Sequence, residues 1–529
     1  MPLDSQVGGD LRMSREQMLD LGQKALELVV ERIESLPGEN AWDGEFRQVL
    51  EEQLLEDAPE DGRPAAEVIE RAAHEILPFT LRNDHPRSFG FIPSSPTWPG
   101  VVADFMAAGY QINQCTWLVA SGPSQLELVV IDWFRRWLGY PEGAGGLFTS
   151  GGSAASVDAF VAAREAAGHP ERATVYMSDQ SHSALSRAAT IVGVRRECIR
   201  MIPSDADFRM DMDALASAVA EDRDAGFNPI AVAANAGTAG TGAIDRLEEL
   251  ADFCAAEGLW LHVDAAYGGF AVVTERGKQL LRGIERADSV GLDAHKWLFQ
   301  PYEAGCLLVK DESTLTDAFA VRPDILQDTV WGANHPNFSN LGLQLSRSVR
   351  ALKVWMSIQT FGMAAFRRAV EKGMELAEAA EEYIRESPIL EATSAPTLGI
   401  VCFRINPATD ELDEGTLDRV NRTVLARMFW DDPAFMSSTL LHGTFTLRMC
   451  IINHTTTRTF GSNILIWCCF FPPEFATGRG IGPRFRPGCN EQQEECGWRR
   501  FASANAASMR SSRASPPTTC ATAISRASA

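Results

Sequence analysis

Four short apolar runs, each closed at once by a polar or glycine-rich cluster, constrain this chain most. Gly146–Ser150 runs into Gly151-Gly152-Ser153, and Thr174–Ser178 into Asp179-Gln180-Ser181-His182. Ile230–Ala234 runs into Asn235-Ala236-Gly237-Thr238, and Leu259–Val263 into Asp264. Runs of this length read as buried strands, and helical stretches such as Val157–Ala167 lie between them. Strand, loop and helix in alternation predict an α/β fold around a mainly parallel sheet. Ligands on such sheets gather beyond the carboxyl ends of strands, and every one of these clusters falls there.

Ahead of this pattern the chain reads as helical. Met18–Ile33 sets Leu19, Leu21, Ala25, Leu28, Val29 and Ile33 near helical spacing, and Ala65–Leu77 repeats it. A charged stretch, Glu51–Arg63 with Pro59, separates the two. This pair cannot bury its apolar face alone, so it is expected to pack on the main body or on a second subunit. Phe89–Gly100 holds three prolines and reads as a stiff loop. Leu126–Leu138 reads as a helix whose stripe of Val130, Ile131, Phe134, Trp137 and Leu138 belongs to the core.

The formal charge of −22 argues against nucleic acid or an anionic membrane surface as the main partner. No apolar run reaches the ~20 residues of a membrane span. The first residues lack the basic-then-apolar order of a signal peptide, so a cytoplasmic setting is expected. The composition breaks near Arg458. From there to Ala529 the chain has nine Arg, four Glu and no Lys, a net of +5 beside −27 for residues 1–457. Five of the eleven Cys fall in this stretch, at none of the spacings of a zinc site. Two readings stay open, a natural disordered tail and a shifted reading frame.

The chemistry concentrates at three strand ends. Gly151-Gly152-Ser153 opens a helix, where free N–H groups and a hydroxyl suit phosphate. It does not match the GxGxxG dinucleotide fingerprint. Asp264 closes an apolar strand, and a carboxylate there is costly unless it meets a cation or caps a helix. Lys296 follows in Asp293-Ala294-His295-Lys296-Trp297, hemmed in by His and Trp. A phosphate loop, a buried Asp and an enclosed Lys together suggest pyridoxal phosphate (PLP). The lysine would hold the cofactor as a Schiff base and the carboxylate would keep the ring nitrogen protonated. His182 is either a structural histidine or a ring stacked on the cofactor.

The segments SDQSHSA, HVDAAYGG and DAHKW, in this order and spacing, resemble the group II PLP-dependent amino-acid decarboxylases, the aromatic-L-amino-acid and glutamate decarboxylase family. HPRSFGFIPSSPTWPG, WLVASGPSQLE, SRSVRALKVW and LRMCIINHTTT resemble it too, so the likeness spans about residues 15–457. It implies a type I PLP fold, a mainly parallel large domain with an N-terminal helical segment and a small C-terminal α+β domain. The expected division is 1–85 helical and dimer-forming, 86–375 PLP-binding, 376–457 small domain and 458–529 tail. The resemblance also implies a homodimer acting on a small amino acid. Residue by residue, it makes Lys296, His182 and Asp264 catalytic, and adds Gly152, Ser153, Ala266, His295 and Thr238 as cofactor contacts. Ser94, Phe91, Asn113, Cys115 and His295 are the expected substrate contacts.

Some positions depart from the family. Ile325 stands where the family's mobile loop carries a tyrosine thought to protonate the substrate carbon, and an alkyl chain has no proton to give. Ala239 replaces a threonine beside Thr238, and the tail lacks the family's closing helix. Tyr302 is another phenol, with nothing in the sequence to set it near the cofactor. Three readings follow: an L-amino-acid decarboxylase leaning to aromatic substrates, a decarboxylase diverted by oxidative deamination to an aldehyde, and a non-catalytic protein.

Overall fold

The computed structural model describes residues 11–320, 335–407, 412–431 and 433–459. Ile325 and the tail from 460 onward lie outside the described residues. The larger sheet has seven strands, in the order β1-β7-β6-β5-β4-β2-β3. They are β1 (Gly145–Thr149), β2 (Ala173–Ser178), β3 (Ile199–Ile202), β4 (Asn228–Asn235), β5 (Trp260–Asp264), β6 (Ser289–Asp293) and β7 (Gly305–Val309). From β3 across to β6 every pairing is parallel, whereas β7 is antiparallel to both its neighbours. The carboxyl ends of β1, β2, β4, β5 and β6 therefore share one edge of the sheet, and the chain entering β7 starts from that same edge.

β1, β2, β6 and β7 are buried along their whole length. Layers on both faces explain why these strands read as apolar runs without alternation. The helix Gly152–Ala166 buries Ala155, Ala159, Ala162 and Ala163, and small side chains let it lie close over the middle of the sheet. The helix Trp117–Leu138 buries Val130, Ile131, Phe134 and Leu138, the stripe expected from the sequence.

β1 is an edge strand, and an ion pair covers its middle at Phe148. Arg347 and Glu127 meet at 2.6 Å with both side chains fully buried. Glu127 accepts the Phe148 N–H at 2.8 Å while Arg347 donates to the Phe148 carbonyl at 2.8 Å. The N–H and carbonyl of Phe148 that face away from β7 are thus satisfied.

A second sheet of four antiparallel strands follows: β8 (Leu390–Ala392), β9 (Ile400–Ile405), β10 (Ser437–Leu441) and β11 (Thr444–Cys450), in the order β10-β11-β9-β8. The helix Met363–Glu386 packs on it through Ala377, Ala380 and Ile384.

The first N-terminal helix is Arg15–Ser35, started by a reciprocal Ser14–Gln17 capping box. None of its residues is buried, and Leu19, Leu26, Val29 and Ile33 are exposed, so the described residues leave this apolar face uncovered. Part of the charged stretch is also helical, over Arg47–Leu54, and the second expected helix ends in a wider π turn at Ala72–Ile76. Among the described residues no helix is long and apolar enough to cross a membrane.

Candidate active site

The shared edge of the sheet gathers the charged groups. β6 ends at Asp293, and a single turn of helix, Ala294–Trp297, then carries His295 and Lys296. Lys296 Nζ lies 2.9 Å from Asp293 Oδ2, and His295 Nε2 lies 3.5 Å from the same oxygen. One strand over, Asp264 ends β5 in register with Asn235 and Gly291. Its Oδ1 accepts the Ala266 N–H at 3.1 Å. Asp264 and Lys296 thus sit on neighbouring strand ends although thirty-two positions separate them in sequence.

Burial sets the protonation of these groups. Burial alone would lower the Lys296 ammonium, but Asp293 and Asp264 outweigh it and leave the pKa above the ordinary lysine value. Asp264 is pushed up by burial, against the pull of Lys296, the Ala266 N–H and His182. His295 is pushed down by burial, so it is neutral. Its Nδ1 accepts the Ala304 N–H at 3.2 Å, which leaves the proton on Nε2, facing Asp293.

The helix Gly152–Ala166 begins beside this cluster, with Gly151 at its N-cap and no side chain capping it. Glycine is required here by space. A Cβ on Gly152 would sit 2.8 Å from the Ala266 Cβ, and one on Gly305 would sit 2.4 Å from the Gly151 Cα. Ser153 is exposed at the first turn. His182 caps the helix Ser183–Ile191, its Nδ1 accepting the Ala184 N–H at 3.2 Å, with the ring exposed. Thr238 is buried in the loop after β4, its hydroxyl 3.1 Å from that of Thr241.

The expected substrate contacts divide. Ser94 joins the cluster, its hydroxyl donating to the Lys296 carbonyl at 2.6 Å, so it fixes the backbone of the lysine. Phe91 lies against Phe435 with ring centroids 5.9 Å apart. Asn113 accepts the Arg347 N–H at 3.2 Å, and the half-buried Cys115 accepts the Ser339 N–H at 3.0 Å through its carbonyl. None of these three contacts involves Lys296 itself.

Asp293 was missed as a site residue, although its signal matched that of Asp264: a carboxylate closing an apolar strand. Its Oδ1 is buried with no hydrogen-bond partner among the described residues, an open acceptor aimed into the site. The uncapped helix start and the glycine cradle leave capacity for an anionic group, the orphaned carboxylate oxygen leaves capacity for a hydrogen-bond donor, and PLP, which carries both a phosphate and a protonated nitrogen, fits this set.

Sheets of this order, with the site at the carboxyl edge and a lysine just beyond β6, define the type I class of PLP enzymes. The crystal structure of Oryza sativa TDC with PLP and tryptamine superposes with a TM-score of 0.83 at 25% identity, over 88% of this chain and 99% of that one. Residues 48–406 match the model of the pyridoxal-dependent decarboxylase conserved domain. The aromatic-L-amino-acid decarboxylase of Bacillus atrophaeus is 37% identical over 85% of this chain and 94% of its own length. The phenylacetaldehyde synthase of Arabidopsis thaliana is 29% identical over 83% and 92%. The chain belongs to the pyridoxal-dependent decarboxylase family, and it is a PLP-dependent enzyme that decarboxylates amino acids.

Proposed function

We propose that the substrate is an aromatic L-amino acid, converted to its amine and CO2, by a homodimer in the cytoplasm. The observation that carries the substrate class is the 37% identity, over 94% of the relative's length, to a protein named aromatic-L-amino-acid decarboxylase. The uncovered apolar face of Arg15–Ser35 supports a second copy as its cover. The six cysteines among the described residues are free thiols, in keeping with a reducing compartment. The working division is 1–85, 86–375 and 376–457, with the tail beyond.

PLP, when bound, supplies the electron withdrawal that lets the bond between the α-carbon and the carboxylate break. Lys296 would hold it covalently, and Ser94 keeps the lysine's backbone in place. Asp264 would keep positive charge on the ring nitrogen, and that cation would in turn offset the burial that pushes the carboxyl up. Gly152, Ser153 and the first-turn N–H groups would bind the phosphate, with Ala266, Thr238 and His182 around the ring. Neutral His295 orders the Lys296–Asp293 pair from its other side.

A second reading, part of the flux ending in aldehyde, is favoured by Ile325 at the loop-tyrosine position and by the relative named phenylacetaldehyde synthase. Both readings are tested by screening the twenty amino acids and DOPA for CO2, with amine and peroxide followed under air and under nitrogen. CO2 from aromatic substrates alone is expected. Release from glutamate and not from aromatic substrates would overturn the substrate class. Amine without peroxide in air would remove the aldehyde reading.

A further inference from the structure

The turn between the lysine and β7 carries a phenol that the sequence leaves unplaced. Because β7 runs antiparallel to β6, its first residue, Gly305, pairs with Asp293. The turn Pro301–Ala304 therefore returns to the edge where Lys296 sits. Tyr302 projects from it. Its ring lies on His295 with centroids 4.7 Å apart, and 58% of the residue remains open.

The turn is fastened from behind by buried cations. Lys353 Nζ donates to the carbonyls of Pro301 and Glu303, each at 3.2 Å, and pairs with Asp104 at 2.8 Å. Arg350 binds the Glu303 carboxylate, its Nε at 3.2 Å. One ammonium thus holds the carbonyls on both sides of Tyr302, so the phenol is presented by a fixed backbone. Its hydroxyl makes no hydrogen bond among the described residues. Tyr267, by contrast, is buried and accepts the Gly399 N–H at 2.8 Å, so it is committed to the scaffold.

The ionisable groups acting on Tyr302 are Lys296, Asp293 and the neutral His295. The partial burial of the ring raises the phenol, the Lys296 ammonium pulls it down and Asp293 raises it again, with a net rise. Tyr302 thus keeps its proton at neutral pH while standing in the field of the lysine.

We propose that Tyr302 donates the proton to the substrate carbon from which CO2 has left. The electron pair released by the breaking C–C bond forms the new C–H bond, and the phenol O–H breaks. The phenolate, left near Lys296, then takes a proton from water at its open face. The step needs no oxidant and no further co-reactant. It rests on the decarboxylase activity and is independent of which amino acid is preferred.

Tyr302→Phe keeps the ring on His295 and removes only the O–H. With the holoenzyme in D2O, the wild type is expected to place one deuteron on one face of the amine's α-carbon. The variant should release CO2 but form amine at least tenfold more slowly, since general-acid steps are worth ~10²–10⁴-fold, and should label both faces. A second readout needs no turnover. In cofactor-free protein, the difference in phenol absorbance between wild type and Tyr302→Phe isolates one titration. Lys296→Ala should move that titration to higher pH, because the cation that stabilises the phenolate is gone. An amine rate and label stereochemistry unchanged in Tyr302→Phe would overturn the proposal, as would a titration indifferent to Lys296. A wild type that releases no CO2 would instead sink the decarboxylase activity and this step with it.

Discussion

Replacing Asp264 by Asn separates charge from shape at the centre of the site. The amide has the same size and still offers an oxygen to the Ala266 N–H, now held at 3.1 Å, so the turn after β5 should survive. What disappears is the carboxylate that would set a negative charge against the ring nitrogen, fixed at a strand end between Asn235 and Gly291, which are themselves held by the sheet. A preorganised electrostatic group of this kind is worth ~3–4 kcal/mol in a water-poor site, or ~10²–10³ in rate at about 1.4 kcal/mol per decade. Turnover should fall by that factor while thermal unfolding and cofactor loading stay close to wild type. Amine release at saturating substrate gives the rate, and visible absorbance gives the loading. A variant within about twofold of wild type, fully loaded, would refute the assignment of Asp264 as the partner of the ring nitrogen. A variant that fails to fold would refute the argument that charge alone was removed.

Lys296→Ala should lose the borohydride-reducible covalent adduct with the cofactor; an adduct that survives, seen by mass spectrometry, would move the attachment elsewhere. Arg347→Met should destabilise the protein by ~3–5 kcal/mol, because it strands the fully buried Glu127 carboxylate. Adding Glu127→Leu should recover part of that loss, and matched thermal scans in which the double variant is no better than the single would contradict the reasoning. Asp158 is held up to about 7 by burial, so it stays protonated in the fold where the unfolded chain has already ionised. Its contribution to stability is present below pH ~4 and is lost as pH rises to about 7, at ~1.4 kcal/mol per pKa unit. Asp158→Asn should therefore stabilise the protein at pH 8 and not at pH 4, and equal shifts at both pH values would argue against it.

The elements legible in the sequence were those with local signals. β1, β2, β4 and β5 lie within about two residues of where the apolar runs set them. The capped first helix and the core stripe of Trp117–Leu138 also follow their patterns. β3, β6 and β7 are not among the runs that the sequence marks out. β3 is short and half-exposed, and β7 is an ordinary apolar pentad whose following cluster, Lys310-Asp311-Glu312-Ser313, is charged like any surface loop. Nothing local says that β7 turns back antiparallel between β1 and β6, because that arrangement is set by which surfaces bury one another.

The same division runs through the site. Sequence by itself determined the chemical parts. A glycine-opened helix, Asp264 and Lys296 carry enough local pattern to suggest PLP, and ordered motifs identify the family. Tertiary structure alone decided the distances. Asp293 becomes the partner of Lys296 because one helical turn folds the lysine back over its own strand end. Ser94 reaches the Lys296 carbonyl from 202 positions away. Tyr302 comes to the site because β7 reverses direction there, with buried Lys353 holding its turn. Residue types and short spacings encode which groups are available, through propensity and burial. Which of them meet depends on long-range packing, and the field each group feels depends on the water that packing excludes.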